Sequence, residues 1–315
     1  MLTHEELYTS PDHYLHSFEG DDAVFVPMDR AAYHRSIFLD ARISAAATGS
    51  MGIPVASLAK AVPIPQSTGW VFHIAHCGST LLARALDRPN SSLVLREPAA
   101  LRQVGVAPDA ARLAVVLTML GKRYLTDAPT IVKANVPVNF ILPNVITTDP
   151  QASAIFLYCG LRDYLLAVLR SDGHRNWVQQ VTAQFALQIG DMSGLSDAKR
   201  AAALWRAQIG AFNGAMARMP NARSLNCETF FDEPREALSA ASSYFGLAMT
   251  QVDVDATVTG PLFSTSAKNP TLAFDNAQRM ARRAYLEELM APELDEAQIW
   301  LDQAGGNIKL DRPLV

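Results

Sequence analysis

A chain of 315 residues, 49% of them hydrophobic, can fill a complete core, and its length suits one large domain or a domain with an appendage. Its 27 basic and 31 acidic residues leave a net charge of -4, which excludes a chain-wide match to DNA or an anionic membrane; any anionic ligand has to be met locally. Neither nucleic acid nor membrane is expected as a partner.

The N-terminus, "MLTHEELYTSPDHYLHSFEGDD", is acidic and polar where a signal peptide is basic and then apolar, and no apolar run reaches transmembrane length. A cytoplasmic protein is expected. Cys77, Cys159 and Cys227 leave an odd thiol and form no framework, so no disulfide is expected either. Residues 1–69 lack a strand-helix rhythm. They hold a short "AVFVPM" strand and then "DRAAYHRSIFLDARISAAA", where Tyr33, Ile37, Phe38 and Ile43 give a roughly helical apolar face. This segment reads as a mostly helical N-terminal extension, closed by the prolines and glycine of "VPIPQSTG".

From Trp70 the pattern becomes regular. Short apolar runs at 70–75, 92–95, 130–133, 153–159 and 223–227 alternate with longer helical stretches, among them "AARLAVVLTMLGKRYL" and "DAKRAAALWRAQIGAFNGAMARM". That alternation predicts right-handed βαβ units around a central parallel sheet of about five strands, flanked by helices, over residues 70–315. After about Asp253 the tail mixes the loop "TVTGPLFSTSAKNP" with a final helix around "AQRMARRAYLEELM".

Open α/β sheets bind ligands beyond the carboxyl ends of their strands, and the first strand-to-helix turn is the usual phosphate site. Here that turn is "AHCGST". Gly78 permits close backbone approach, the Ser79 and Thr80 hydroxyls stand at the helix start, and the free amides there point outward with the positive end of the dipole. A Walker A loop it is not, because a lysine would stand where Ser79 is and a glycine where Ile74 is. Later strand ends add to the pattern: "VLREP" brings Arg96 and Glu97, "IVKANVP" brings Lys133, and "FLYCGLRDYLLAVLRS" brings Arg162 and Asp163.

In this order and spacing the sequence resembles the sulfotransferase family, closest in style to its bacterial and tyrosyl-protein or glycan branches. "AHCGSTLL" stands where the family has a Pro-Lys/Arg-Ser-Gly-Thr-Thr type loop for the 5′-phosphosulfate of 3′-phosphoadenosine 5′-phosphosulfate. "LRDYLLAVLRS" resembles the Arg-Asp-Pro stretch and following serine that grip the 3′-phosphate. "RSLNCETFFDEPREALSAASSYFGL" is similar to the family's acidic-Pro, helix, Phe-Gly-Leu segment. The resemblance spans about residues 70–250 and implies a three-layer P-loop-type α/β fold and that nucleotide as co-substrate, with no metal. The acceptor it implies is a small molecule, glycan or peptide carrying a hydroxyl or amine. Three departures stand out. His76 replaces the loop's basic residue, Ser171 falls nine residues after Arg162 with Arg170 at the usual spacing, and the C-terminal Arg-Lys-Gly loop is absent, with Lys268 as its possible substitute.

The donor-binding residues implied are thus His76, Cys77, Gly78, Ser79, Thr80, Arg162, Arg170, Ser171 and Lys268. Catalysis falls to Glu97, Lys133 and His76. Glu97 is read as the base, its pKa raised toward neutrality, or as an ion-pair partner of Arg96 or Arg102. Lys133 is read as stabilising the departing oxygen, or as a strand-end lysine reaching solvent. His76 either gains a proton beside a dianion or stays neutral. His73, inside its strand, is expected to be a satisfied core histidine, and Cys77 a reactive thiol at a helix start. Trp177, Phe185, Trp205 and Phe212 are assigned to helix core rather than to an acceptor pocket. Two alternatives stand beside this reading: a nucleotide-dependent kinase-like phosphotransferase, which the absent Walker lysine disfavours, and a non-catalytic nucleotide-binding module with a degenerate P-loop.

Overall fold

The computed structural model describes residues 3–89, 91–306 and 308–315. Each of the five apolar runs forms a parallel strand: β4 (Gly69–His73), β5 (Leu93–Arg96), β6 (Thr130–Lys133), β7 (Ala154–Tyr158) and β8 (Arg223–Asn226), in the spatial order β5-β6-β4-β7-β8. β4 to β7, buried along nearly their whole length, read as largely apolar runs rather than alternations, whereas the edge strand β8 carries Arg223, Ser224 and Asn226 and is buried only in its middle. Trp70 stacks on Phe72 with centroids 5.3 Å apart, and Phe72 on Phe156 at 5.2 Å, across the middle of the sheet.

Helix Ser79–Leu86 leads from β4 out to β5, whereas β7 and β8 lie on the other side of β4. The chain therefore changes direction at the carboxyl end of β4, which is where crevices open in doubly wound sheets. The longest helix, Asp197–Arg218, begins at Ser196, whose hydroxyl caps it by accepting from the Lys199 amide. Helix Asn276–Leu289 occupies the stretch expected for the final helix, and a further helix, Ala291–Gln303, follows it. Among the described residues no helix is long and apolar enough to cross a membrane.

Residues before 69 differ from the helical expectation. Three strands, β1 (His13–Glu19), β2 (Asp22–Pro27) and β3 (Met51–Pro54), form an antiparallel sheet in the order β1-β2-β3, accompanied by short helices. A register shift between Leu15 and Ser17 breaks the period-two pattern that would have revealed β1. The helix expected over 29–47 spans only Arg30–Arg35. Its last carbonyls are taken by a side chain from the sheet: Arg96 donates to the carbonyls of Tyr33, His34, Ser36 and Ile37 and pairs with Asp87 at 2.7 Å. A tertiary contact, not local propensity, ends that helix. One hydrophobic cluster runs from Leu7 through the sheet to Leu310, so this segment shares the core of the α/β portion.

Two short strands, β9 (Thr265–Ser266) and β10 (Asn269–Ala273), make a hairpin with Lys268 in its turn.

Candidate functional site

A cavity of about 1160 Å³ opens at the carboxyl ends of the parallel strands. It exceeds the roughly 300–1,000 Å³ typical of a single small ligand, so it has room for two reactants. Seven arginines and lysines against five carboxylates line it, a local positive excess in a chain of net charge -4.

Its floor is the turn after β4. His76 and Gly78 both adopt left-handed backbone angles, φ 63° and 80°. At Gly78 a Cβ would stand 2.8 Å from the Phe231 ring, so glycine is required there on two grounds. Among the described residues no carbonyl accepts from the amides of residues 75–81. The Thr80 hydroxyl is buried without a partner. Loop and helix start thus present a set of unspent donors, as an anion site requires.

Cations face this floor. Arg170, Arg282 and Lys268 all line the cavity, and among the described residues none of them has a carboxylate partner. Burial and then Arg282 act against the charge on Arg170; burial and then Lys133 lower the Lys268 pKa. By contrast Arg279 pairs with Glu228 at 2.6 Å and Arg283 with Asp163 at 3.0 Å. Arg282 sits over the Phe274 ring, 4.7 Å from its centroid.

His76 lines the floor with its ring 4.9 Å from that of His174 and edge-on to Trp177 at 5.9 Å. Burial, then Lys268 and Arg170, hold its pKa well below the usual histidine value, so it is neutral in the free protein. His174 is lowered in the same way, by burial first and then by Arg170 and Lys268.

On the other side of β4, Glu97 follows β5 in a left-handed conformation, φ 56°, which turns its carboxylate into the cavity. It pairs neither with Arg96 nor with Arg102 but with Lys133, whose side chain is entirely buried. Burial pushes the Glu97 carboxyl up, but Lys133 and His73 pull harder and hold it below its ordinary value. That reverses the expected rise toward neutrality.

The structure thus brings His76, Gly78, Ser79, Thr80, Arg170, Lys268 and Glu97 to one cavity wall, and separates others from it. Arg162 lies outside, half-exposed and paired with Glu287 at 3.0 Å; the Ser171 hydroxyl meets His174 Nδ1 at 2.7 Å and does not line the cavity. Arg170, not Arg162, is the arginine of that stretch that faces the loop. Lys133 is bound behind Glu97 and reaches neither solvent nor cavity. Cys77 is fully buried, donates to the Ile74 carbonyl at 2.8 Å, and has its pKa pushed up to about 12 by burial, so it is no reactive thiolate. Phe185, Trp205 and Phe212 are core as expected, whereas Trp177 lines the cavity.

Residues that sequence reasoning passed over include His174, Glu228, Phe231 and the arginines of helix Asn276–Leu289. The last had a signal in "AQRMARR", where Arg279, Arg282 and Arg283 at i, i+3 and i+4 share one helix face.

His73 also departs from expectation. Its Nε2 is buried without a partner and faces the cavity, 3.9 Å from Glu97 Oε1. Burial first, then Lys133, brings its pKa down from 6.5 to about 3. Between those values the unfolded chain binds a proton that the folded one refuses. The His73 contribution to stability is therefore complete above about pH 6.5 and is lost at about 1.4 kcal/mol per pH unit as pH drops toward 3. Urea titrations between pH 6.5 and 4 check this: the acid slope of His73→Gln is expected to be one proton shallower than wild type, and equal slopes would contradict it.

No protein-family model and no curated protein matches the chain. Among solved structures it is similar to the sulfotransferase domain from the curacin biosynthetic pathway, at 10% identity over 78% of this chain and 99% of that one, with a TM-score of 0.42. It is also similar to the sulfotransferase from Alicyclobacillus acidocaldarius, at 12% identity over 78% of this chain and 98% of that one, with a TM-score of 0.39. Likeness at this level assigns no activity to the chain.

Proposed function

We propose that the protein transfers a sulfuryl group from 3′-phosphoadenosine 5′-phosphosulfate to a nucleophile bound beside Glu97. The observation that carries this reading is the trio Arg170, Arg282 and Lys268, unpaired on the wall of a cavity whose floor is the amide-rich turn of residues 75–81. Unpaired cations side by side repel one another, and a polyanion is the ligand that relieves the repulsion. The residues fit a nucleotide with two separated phosphoryl groups: the turn, Ser79 and Thr80 for the 5′ end, Arg170 and Arg282 for the 3′ end.

Sulfuryl transfer is an in-line displacement that asks the protein for position, charge and one proton acceptor. The donor supplies the electrophilic sulfur. The nucleophile's proton passes to Glu97, the new bond to sulfur forms, the sulfur–oxygen bond to the 5′-phosphate breaks, and adenosine 3′,5′-bisphosphate leaves. Lys133 acts through Glu97 by fixing its carboxylate. His76, neutral in the free protein, is drawn toward its protonated form by a dianion in the turn, which replaces the charge of the missing loop lysine.

Binding experiments test the assignment. Adenosine 3′,5′-bisphosphate is expected to raise the melting temperature more than AMP or ATP, since a ligand selective for the native state stabilises it by mass action. Arg170→Ala should then weaken the bisphosphate by about 10- to 100-fold while AMP is nearly unaffected, and Arg162→Ala should change neither. Preference for ATP favours a phosphotransferase. Selective binding without turnover on any acceptor favours a nucleotide-binding module.

A further inference from the structure

At the carboxyl ends of β5, β6 and β4, three neighbouring strands, stand Glu97, Asn135 and His73. β4 pairs with β6 through Val71 opposite Lys133, and the Ala134 amide still donates to the Val71 carbonyl, so Asn135 follows where the chain leaves the end of β6. The His73 Nδ1 lies 3.2 Å from the Ile74 carbonyl oxygen. A carbonyl only accepts, so the ring hydrogen is on Nδ1 and Nε2 offers a bare lone pair. That Nε2 is buried, without a partner, and 3.9 Å from an oxygen of Glu97 that likewise only accepts. Asn135 Oδ1 is a second buried acceptor without a partner, and all three residues line the cavity. Lys133 is the one donor among the described residues that reaches any of the three, and it is spent on Glu97.

Buried acceptors left bare are costly, and each calls for an account. Glu97 already accepts from Lys133, but as the proton acceptor of the proposed reaction it must also take a hydrogen from the nucleophile, and the bare His73 Nε2 beside it asks for a second, so the atom that serves both carries two hydrogens. Two acceptors 3.9 Å apart can both be reached by one nitrogen at normal hydrogen-bond lengths, about 2.9 Å. A hydroxyl has a single hydrogen and, giving it to Glu97, leaves His73 Nε2 bare. Lys133, bonded to Glu97, and Lys268 nearby already supply positive charge there, which selects a neutral amine over an ammonium.

We propose that the nucleophile is a neutral primary amine held between His73 Nε2 and the Glu97 carboxylate, which makes the product a sulfamate. This deepens the sulfuryl-transfer reading and rests on it. With both N–H bonds directed at the protein, the nitrogen lone pair is left to attack sulfur. The nitrogen–sulfur bond forms, the sulfur–oxygen bond to the donor's phosphate breaks, and one amine proton goes to Glu97. His73 serves as a positioning residue.

The test uses the full chain, a phosphosulfate donor labelled in its sulfur, and acceptors matched in skeleton: benzylamine against benzyl alcohol, and glucosamine against glucose. The amine of each pair is expected to take up label with a kcat/KM at least about 100-fold above the alcohol, because a site built to hydrogen-bond a group rejects the analogue lacking it. Nitrous acid should release the label, as it does from a sulfamate and not from a sulfate ester. His73→Phe fills the ring's space without the acceptor and is expected to reduce the amine-over-alcohol ratio at least tenfold; the wild-type comparison stands even if that variant does not fold. Equal or better transfer to alcohols overturns the amine assignment and leaves sulfuryl transfer in place. Bound donor with transfer to none of the four also overturns the assignment. Failure of adenosine 3′,5′-bisphosphate to bind at all overturns the underlying reading instead.

Discussion

Glu97→Gln is expected to lower sulfuryl transfer by roughly 100- to 10,000-fold while the affinity for adenosine 3′,5′-bisphosphate changes little. The amide keeps the size of the carboxylate and can still accept from Lys133, so what is removed is the capacity to take a proton. The carboxyl of Glu97 is held below its ordinary value of 4.5 despite burial, with Lys133 the largest opposing influence. The base is therefore ready at neutral pH, and kcat/KM should show no acid limb from this group until pH falls below about 4.5. Lys133→Met separates the two roles of the pair. It removes the cation that lowers the Glu97 carboxyl, so the acid limb should move upward in pH. A variant Glu97→Gln with turnover within threefold of wild type would place the base elsewhere, and His76 is the next group on the wall.

The parts of this molecule legible in the sequence were those fixed by local pattern. The runs at β4 to β7 were legible because strands buried on both faces of a parallel sheet need largely apolar residues, and the turn after β4 declared itself through Gly78 followed by two hydroxyls. What stayed hidden depended on contacts distant in sequence. Arg162 and Arg170 lie on one short stretch, and only the packing of helix Asn276–Leu289 decides between them: it brings Glu287 to Arg162 and Arg282 to the cavity that Arg170 lines. Glu97 stands at the cavity for a reason the sequence does not carry. No pattern announces a glutamate at φ 56°, and it is that backbone turn which points the carboxylate at the cavity. The β1–β2 hairpin had a usable signal in "EGDD", where Gly20 supplies the positive φ of the turn between paired Glu19 and Asp22, but the bulge in β1 masked the alternation beside it.

Arg96→Ala is expected to destabilise the fold by roughly 3–5 kcal/mol, the usual consequence of removing one partner from a buried charged network. Arg96 and Glu97 are adjacent in "LREP" and do opposite work. The arginine side chain, 1% exposed, points away from the cavity and holds Asp87 and four carbonyls of residues 33–37, while its own carbonyl accepts from the Leu39 amide at 2.8 Å. Without the guanidinium those carbonyls lose their donor, and Asp87 keeps Arg30 at 2.6 Å, His34 at 3.1 Å and the Val94 amide at 3.4 Å. Arg96→Lys should recover less than half the loss, since one ammonium cannot replace a planar fork bonded to five acceptors. Urea unfolding measures both, and a loss under about 1 kcal/mol for Arg96→Ala would show that the segment is held by its apolar contacts instead. The segment is also where Asp40 and Arg42 join the cavity wall beside Glu97. Loosening it should therefore raise the KM for the acceptor before the chain unfolds, with donor affinity, which the proposed function assigns to Arg170 and Arg282 across β4, left largely intact.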